Sequence, residues 1–306
     1  MKSKRSKFQH FVFLLLLFGM FISCTEQDNT GPEDALIYHP FGSEIIYRSK
    51  TCRISWNAPS WTSLNIVLNN DSGLSWQICK ELPNSEPYNW DIPDEIPDGT
   101  SYSLMVSNSE NPQSAPASTE PFEIRSQGEF STLTDSRDGQ VYRTIKIGSQ
   151  WWMAEDFNLI IPGDSHCYKD NDSNCATHGR LYTLEAALDN SPPGWHLPTD
   201  DEWKQLETYL GIEPEDLDNI GDRGVFTGLL LGRDGGPGFD ALYGGYHNSR
   251  VGKDAHKNWE SHLWTATKNK EAKPIIRVIT HASGRVARFG SLHHGGSSVR
   301  YVKDSE

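Results

Sequence analysis

The chain has 306 residues, with 28 basic against 41 acidic side chains for a net charge of −13, and its 36% hydrophobic content includes ten tryptophans. So acidic a surface repels nucleic acid and anionic lipid headgroups and excludes both as electrostatic partners. The apolar and aromatic content is too high for a disordered chain, and the length suits two domains.

Residues 1–23 read as a lipoprotein signal peptide. Lys2, Lys4, Arg5 and Lys7 precede an apolar run from Phe11 to Ile22, too short for a finished transmembrane helix. The run ends in Phe21-Ile22-Ser23-Cys24, which resembles the bacterial lipobox, although Phe21 stands where leucine is usual. Cys24 is therefore the expected lipidation site and membrane anchor. Each buried methylene contributes about 0.8 kcal/mol, so more than one acyl chain, palmitate among them, anchors stably. Cleavage before Cys24 removes four basic residues and no acid, leaving 24 basic against 41 acidic and a net charge of −17. Residues 24–34 form a polar tether. Its Glu26 and Asp28 resemble surface-export signals in lipoproteins of gut-type Gram-negative bacteria. The expected place is the outer membrane, on the cell surface or the periplasmic face.

Residues 35–125 alternate short strands with turns such as Asn70-Asp71-Ser72-Gly73 and Pro97-Asp98-Gly99. Strands are expected at Glu44–Tyr47, Thr51–Trp56, Leu64–Asn69, Trp76–Lys80, Tyr88–Ile92, Ser101–Ser107 and Pro121–Arg125. Without a helical period this predicts an all-β, Ig-like sandwich. Trp56, Trp76 and Trp90 are expected in its core. Cys52 shares a strand face with Ile54 and Trp56, whereas Cys79 points away from Trp76 and Ile78, so a Cys52–Cys79 disulfide stays open. The series His39-Pro40-Phe41-Gly42-Ser43, Ile54-Ser55-Trp56, Asp71-Ser72-Gly73-Leu74-Ser75-Trp76 and Tyr88-Asn89-Trp90-Asp91-Ile92-Pro93 resembles the Kre9/KNH-type Ig-like module. Such modules serve secreted and surface bacterial proteins as spacers or binding domains.

Ser126–Glu129 reads as a joint that few contacts should cross, and residues 130–304 as a second domain of mixed α and β. Val141–Ile147 and Gln150–Met153 predict a hairpin. Helices are expected at Leu181–Asp189 and Thr199–Gly211, the second opened by a Thr199/Glu202 capping box. Strands are expected at Phe239–His247, His262–Lys268, Pro274–Ala282, Arg285–Ser291 and Ser297–Lys303. Cys167 and Cys175 close a nine-residue polar loop, CYKDNDSNC, and are the expected disulfide in an oxidising compartment.

Many ordered residues of this half carry a family likeness. Among them are Ile147-Gly148-Ser149-Gln150-Trp151-Trp152-Met153-Ala154-Glu155, Gly179-Arg180-Leu181-Tyr182-Thr183, Pro193-Gly194-Trp195-His196-Leu197-Pro198-Thr199, Leu263-Trp264-Thr265-Ala266-Thr267 and Ser298-Val299-Arg300-Tyr301-Val302-Lys303. The half resembles, end to end, the Fibrobacter succinogenes major paralogous domain. That resemblance implies an α+β fold similar to the C-type-lectin-like and formylglycine-generating-enzyme-like group, without an established activity. It also implies a Cys167–Cys175 disulfide. The family usually has cysteines where Ser191 and Tyr301 stand, so one family disulfide is missing here.

No constellation spells an enzyme. Copper-dependent oxidation of the formylglycine-generating type needs a free thiolate, and the disulfide claims both cysteines of this half. Asp170, Asp172 and Asn174 alternate as Ca²⁺ ligands can, but no EF-hand glycine or glutamate follows. None of the eleven histidines sits in a zinc-type spacing, and His196 reads as a satisfied, partly buried imidazole. The lectin-like resemblance puts a binding face on Asn248, Arg250, Trp259, Arg277 and Arg288. The function expected is non-catalytic binding of a carbohydrate or a cell-envelope protein, with no cofactor and no metal. A ligand-free spacer and a formylglycine-generating-type enzyme are the alternatives.

Overall fold

A computed structural model describes residues 35–305 apart from 49, 86, 234, 235, 282, 292 and 293. Cys24, the expected signal peptide and the tether lie outside the described residues. Among the described residues no helix is long and apolar enough to cross a membrane.

The first half holds β1 (Leu36–His39), β2 (Ile45–Tyr47), β3 (Thr51–Asn57), β4 (Ser63–Asn70), β5 (Ser75–Pro83), β6 (Tyr88–Asp91), β7 (Gly99–Asn108), β8 (Ala117–Ser118) and β9 (Phe122–Arg125). They form a three-stranded sheet, β1-β3-β6, and a larger one ordered β2-β9-β7-β4-β5, with β8 beside β7. Period-two alternation explains the core. Leu64, Ile66 and Leu68 on β4 face inward with Tyr102, Leu104 and Val106 on β7, against Cys52, Ile54 and Trp90 of the smaller sheet. Burying each such aliphatic side chain contributes about 1.5–3 kcal/mol. Trp90 is buried, and Trp56 and Trp76 pack against the same cluster.

The second half continues with β10 (Phe130–Thr134), β11 (Val141–Ile147), β12 (Gln150–Met153), β13 (Ser165–His166), β14 (Leu181–Tyr182), β15 (Trp195–His196) and β16 (Gly221–Arg223). It ends with β17 (Tyr246–Asn248), β18 (Lys253–Ala255), β19 (Glu260–Lys268), β20 (Pro274–Thr280), β21 (Val286–Gly290), β22 (His294–Gly296) and β23 (Val302–Lys303). Four short helices intervene: α1 (Asp172–His178), α2 (Leu184–Asp189), α3 (Asp200–Tyr209) and α4 (Thr227–Leu231). The sheets are small: β10-β11-β12-β23-β15, β16-β21-β20-β19, β18-β17-β22 and the pair β13-β14.

This overturns the expected class of a sandwich followed by an α+β lectin-like domain. The described chain is predominantly β, with 43% strand and 13% helix, spread over several small sheets. The physical reason lies in the helical segments. Leu181 and Tyr182 pair with Ser165 and His166 as strand, so the helix begins only after its cap, Thr183. The glycine-punctuated chain beyond Gly221 supports only the five-residue α4. The best-signalled helix does form, as α3. Thr199 Oγ1 accepts from the Glu202 amide at 3.2 Å while the Glu202 carboxylate accepts from the Thr199 amide at 2.8 Å.

Contacts cross the expected joint, contrary to the sparse contact expected there. Ile45 and Tyr47 are buried in one cluster with Ile145, Trp203, Leu210 and Phe239. Phe41 stacks on Phe226 with ring centres 5.7 Å apart, and the Arg125 guanidinium lies 4.4 Å over the Tyr209 ring. Residues 34–306 accordingly cluster as one compact unit.

Candidate functional site

A polar cavity of about 490 Å³ opens where four segments of the second half converge. β11 supplies Tyr142 and Arg143. The segment after β12 supplies Asp156 and Asn158, the end of α1 supplies Ala176 and Thr177, and the chain after α4 supplies Asp240. The Cys167–Cys175 disulfide ties α1 in place, with Cα atoms 5.1 Å apart. Gly179 ends α1 at φ +69°, where a Cβ would lie 2.7 Å from the Phe157 carbonyl and 2.8 Å from Asp156 Cβ. Only glycine lets the helix end approach Asp156 so closely.

The electrostatics of this cavity are unbalanced. Arg300, fully buried, donates from Nε to Asp156 Oδ1 at 2.6 Å and from Nη2 to the Asp240 carbonyl at 3.0 Å. Asp240 has a left-handed backbone at φ +51°, uncommon outside glycine, and its Oδ2 lies 3.6 Å from Arg143. The other oxygens are left over: Asp156 Oδ2, Asn158 Oδ1 and Asp240 Oδ1 are buried and accept no hydrogen bond. A buried acceptor without a donor costs about 1–3 kcal/mol, so three beside one cavity leave acceptor capacity that the protein itself does not fill. None of these residues was singled out from sequence. The available signals were Ala154-Glu155, Gly179 and Arg300, each inside a motif of the family likeness.

The expected site residues fall elsewhere. Cys167 and Cys175 are joined as expected. The open Cys52–Cys79 pairing does not form, and both are free. Cys52 is buried on β3 of the smaller sheet, whereas Cys79 sits on β5 of the larger one, beside an irregularity at Ile66. Within the loop of Asp170, Asp172 and Asn174, the one asparagine of the three is already engaged. Asn171 caps α1, and the Asn174 oxygen accepts from Lys257 Nζ. The proposed binding face is split. Trp259 and Arg250 are exposed and Asn248 is half-buried, but Arg277 is fully buried and Arg288 nearly so. Both arginines bind Asp200, Arg277 Nη1 to Oδ1 at 2.8 Å and Arg288 Nη2 to Oδ2 at 2.7 Å. They hold the fold and cannot meet a ligand. His196 is satisfied on both nitrogens, by Glu202 at 2.7 Å and Asp304 at 2.5 Å.

Two groups missed from sequence could hold a metal: His166, His247 and Asp254, and His256, Glu260 and His262. The first group is scattered along the chain, and the second combines His256 of the loop before β19 with Glu260 and His262 of that strand, so no spacing rule reveals them. Glu260 is held low, at about 2, chiefly by its hydrogen bond to His262.

The family model of the Fibrobacter succinogenes major domain matches residues 145–303, which include the cavity's lining from Ala154 to Leu242 but not Gln140, Tyr142 and Arg143. No curated protein and no solved structure matches the chain. With just over half its length matched, this chain belongs to the Fibrobacter succinogenes major domain family.

Proposed function

We propose that this protein is an exported envelope lipoprotein whose family domain binds a hydroxyl-rich carbohydrate without catalysis. The observation that carries this reading is the set of three donorless buried oxygens of Asp156, Asn158 and Asp240 in one polar cavity. Sugar hydroxyls supply donors at the spacing of neighbouring polar side chains, and buried acceptors favour a ligand that brings them. The acidic chain disfavours polyanionic glycans, so a neutral or amino sugar fits best. The sandwich of residues 35–125 acts in this reading as a spacer of the Kre9/KNH type, and lipid on Cys24 holds the protein at the outer membrane.

Two experiments test this. The full chain in detergent should retain a neutral or amino sugar on a glycan array. Asn158→Ala and Asp240→Asn should each weaken that binding by about tenfold, the worth of one hydrogen bond. Binding to no saccharide, or equal binding by the variants, would overturn the carbohydrate reading and leave the spacer. For the anchor, Cys24→Ser should move the protein from the detergent phase to the aqueous phase and abolish palmitate labelling. Continued labelling would sink the lipidation assignment.

A further inference from the structure

The geometry points to a second site: a divalent transition-metal centre held by His166, His247 and Asp254. β17 and β18 are antiparallel, and His247 is the direct cross-strand partner of Asp254, so both side chains stand on one face of the ribbon. β13 brings His166 from a distant part of the chain onto the same carboxylate. Two glycines of β22 leave the room. A Cβ on Gly295 would lie 2.9 Å from His247 Cδ2, and one on Gly296 would lie 3.3 Å from His166 Cε1.

The donor atoms are already gathered. His166 Nε2 lies 3.1 Å and His247 Nδ1 2.7 Å from the same oxygen, Asp254 Oδ1, and the three ligand atoms lie within 4.8 Å of one another. The two imidazoles stand nearly perpendicular, with ring centres 5.0 Å apart. A tetrahedral ion with bonds of about 2.0–2.2 Å sets its ligand atoms roughly 3.4 Å apart. The N–O separations of 3.1 and 2.7 Å therefore need to open by roughly 0.3 and 0.7 Å. The Asp254 carboxylate is also oriented from outside, because its Oδ2 accepts the Lys169 amide at 2.5 Å. Such an outer hydrogen bond is the usual support of a metal-binding carboxylate. For the ion to enter, each coordinating nitrogen gives up its proton, by tautomer change in a neutral ring, and the two N–H···O bonds become two metal–nitrogen bonds.

The chemistry of the donors selects the ion. Two imidazole nitrogens and one carboxylate oxygen suit Zn²⁺, Ni²⁺ or Cu²⁺ and not the oxygen-seeking Ca²⁺ or Mg²⁺. The three residues line a cavity of about 540 Å³ that also presents Asp164, Asp170 and Thr183. A fourth position is therefore open to water or to a ligand's own donor. The neighbouring group of His256, Glu260 and His262 is the rival site, and its members differ in exposure, with His256 at the surface and His262 buried. His262 is 5% exposed and stacks on Tyr246, 4.3 Å between ring centres, and it shares the Glu260 carboxylate with His256.

The test uses the full chain, stripped with chelator and titrated with Zn²⁺ alone by calorimetry and equilibrium dialysis. One ion should bind per chain. His166→Gln and His247→Gln, which keep a side-chain amide to donate to Asp254, should weaken binding by more than the roughly 10–100-fold lost with an outer partner. His256→Ala, which removes a donor of the rival group, should leave binding at the His166 site unchanged. Absence of Zn²⁺ binding overturns the assignment, and so does loss with His256→Ala but not with the two glutamine variants. The wild-type chain loaded with Cu²⁺ gives a readout that needs no variant: its paramagnetic resonance spectrum should carry coupling to two imidazole nitrogens. A spectrum without nitrogen coupling overturns the site whatever the variants do.

Discussion

Arg277 shows what burial does to a charged residue. Its guanidinium has no exposed surface and bonds Asp200 and Glu207, the latter at 2.7 Å from Nε. Arg223 joins the same Glu207 oxygen at 2.5 Å, and Arg288 and Lys204 complete the network around Asp200. The ion pairs are worth little as net attraction, because desolvation opposes them, but breaking one leaves a charge buried and unpaired. Asp200→Asn should therefore destabilise the protein by about 3–5 kcal/mol, read from denaturant midpoints. Burial alone raises the Asp200 carboxyl, but Arg288 and Arg277 outweigh it and hold it well below the usual carboxylate range. Its folded pKa lies below the unfolded value of about 3.9, so its contribution is full above that pH and lost as pH falls beneath it. The acid limb of the melting curve should be shallower in Asp200→Asn than in the wild type. His196 runs the other way. Burial lowers it, Asp304 and Glu202 raise it by more, and its stabilisation is present below about 6.5 and lost as pH rises through the elevated value.

Among the elements, the segment entering the last strand is held to α2 by packing and a hydrogen bond. Tyr301, immediately before β23, makes that contact. Its ring is fully buried and edge-on to Phe157 at 5.0 Å, and its hydroxyl donates to the Ala187 carbonyl of α2 at 2.9 Å. That helix leads directly to Ser191, the position that the family likeness pairs with Tyr301. Tyr301→Phe should cost about 1–3 kcal/mol, the penalty for a buried carbonyl left without its donor. Ser191→Cys with Tyr301→Cys should cross-link, but the gain of about 2–4 kcal/mol is offset by about 3–5 kcal/mol for the lost aromatic ring. Oxidised, that variant should melt above its reduced form but not above the wild type. A melting temperature exceeding the wild type would mean that Tyr301 packs less tightly than its burial indicates.

For the whole molecule, β2 is the strand that ties the two halves together. Tyr47 is 2% exposed and closes on Gly236, where even a Cβ would come within 1.9 Å of the ring. The shared core makes the halves energetically dependent despite the polar joint at Ser126–Glu129. The full chain should unfold in one transition, and residues 35–125 and 127–306 prepared apart should each melt lower than the full chain. Tyr47→Ala should cost about 3–5 kcal/mol and lower the melting of both halves together. Two separate transitions in the full chain, with only one of them shifted by Tyr47→Ala, would show the halves to be independent.

Local chemistry settled in the sequence what depends on near neighbours. The first-half strands follow from alternation, α3 from its capping box, the Cys167–Cys175 bond from a short polar loop, and the family from an ordered series of motifs. Residues far apart in the chain needed the tertiary structure. His166 meets Asp254 across 88 positions, and Asp156 meets Arg300 across 144. Arg277 reads as a surface contact until the chain buries it against Asp200, 77 positions away. Helix content was overstated because a short apolar segment such as Leu181–Tyr182 satisfies strand and helix patterns equally well, and only its β13 partner decides between them. Periodicity reports which face of an element is apolar. What lies across from that face, and which polar atoms are left there without partners, is set by loop closure over long distances and is absent from any local pattern.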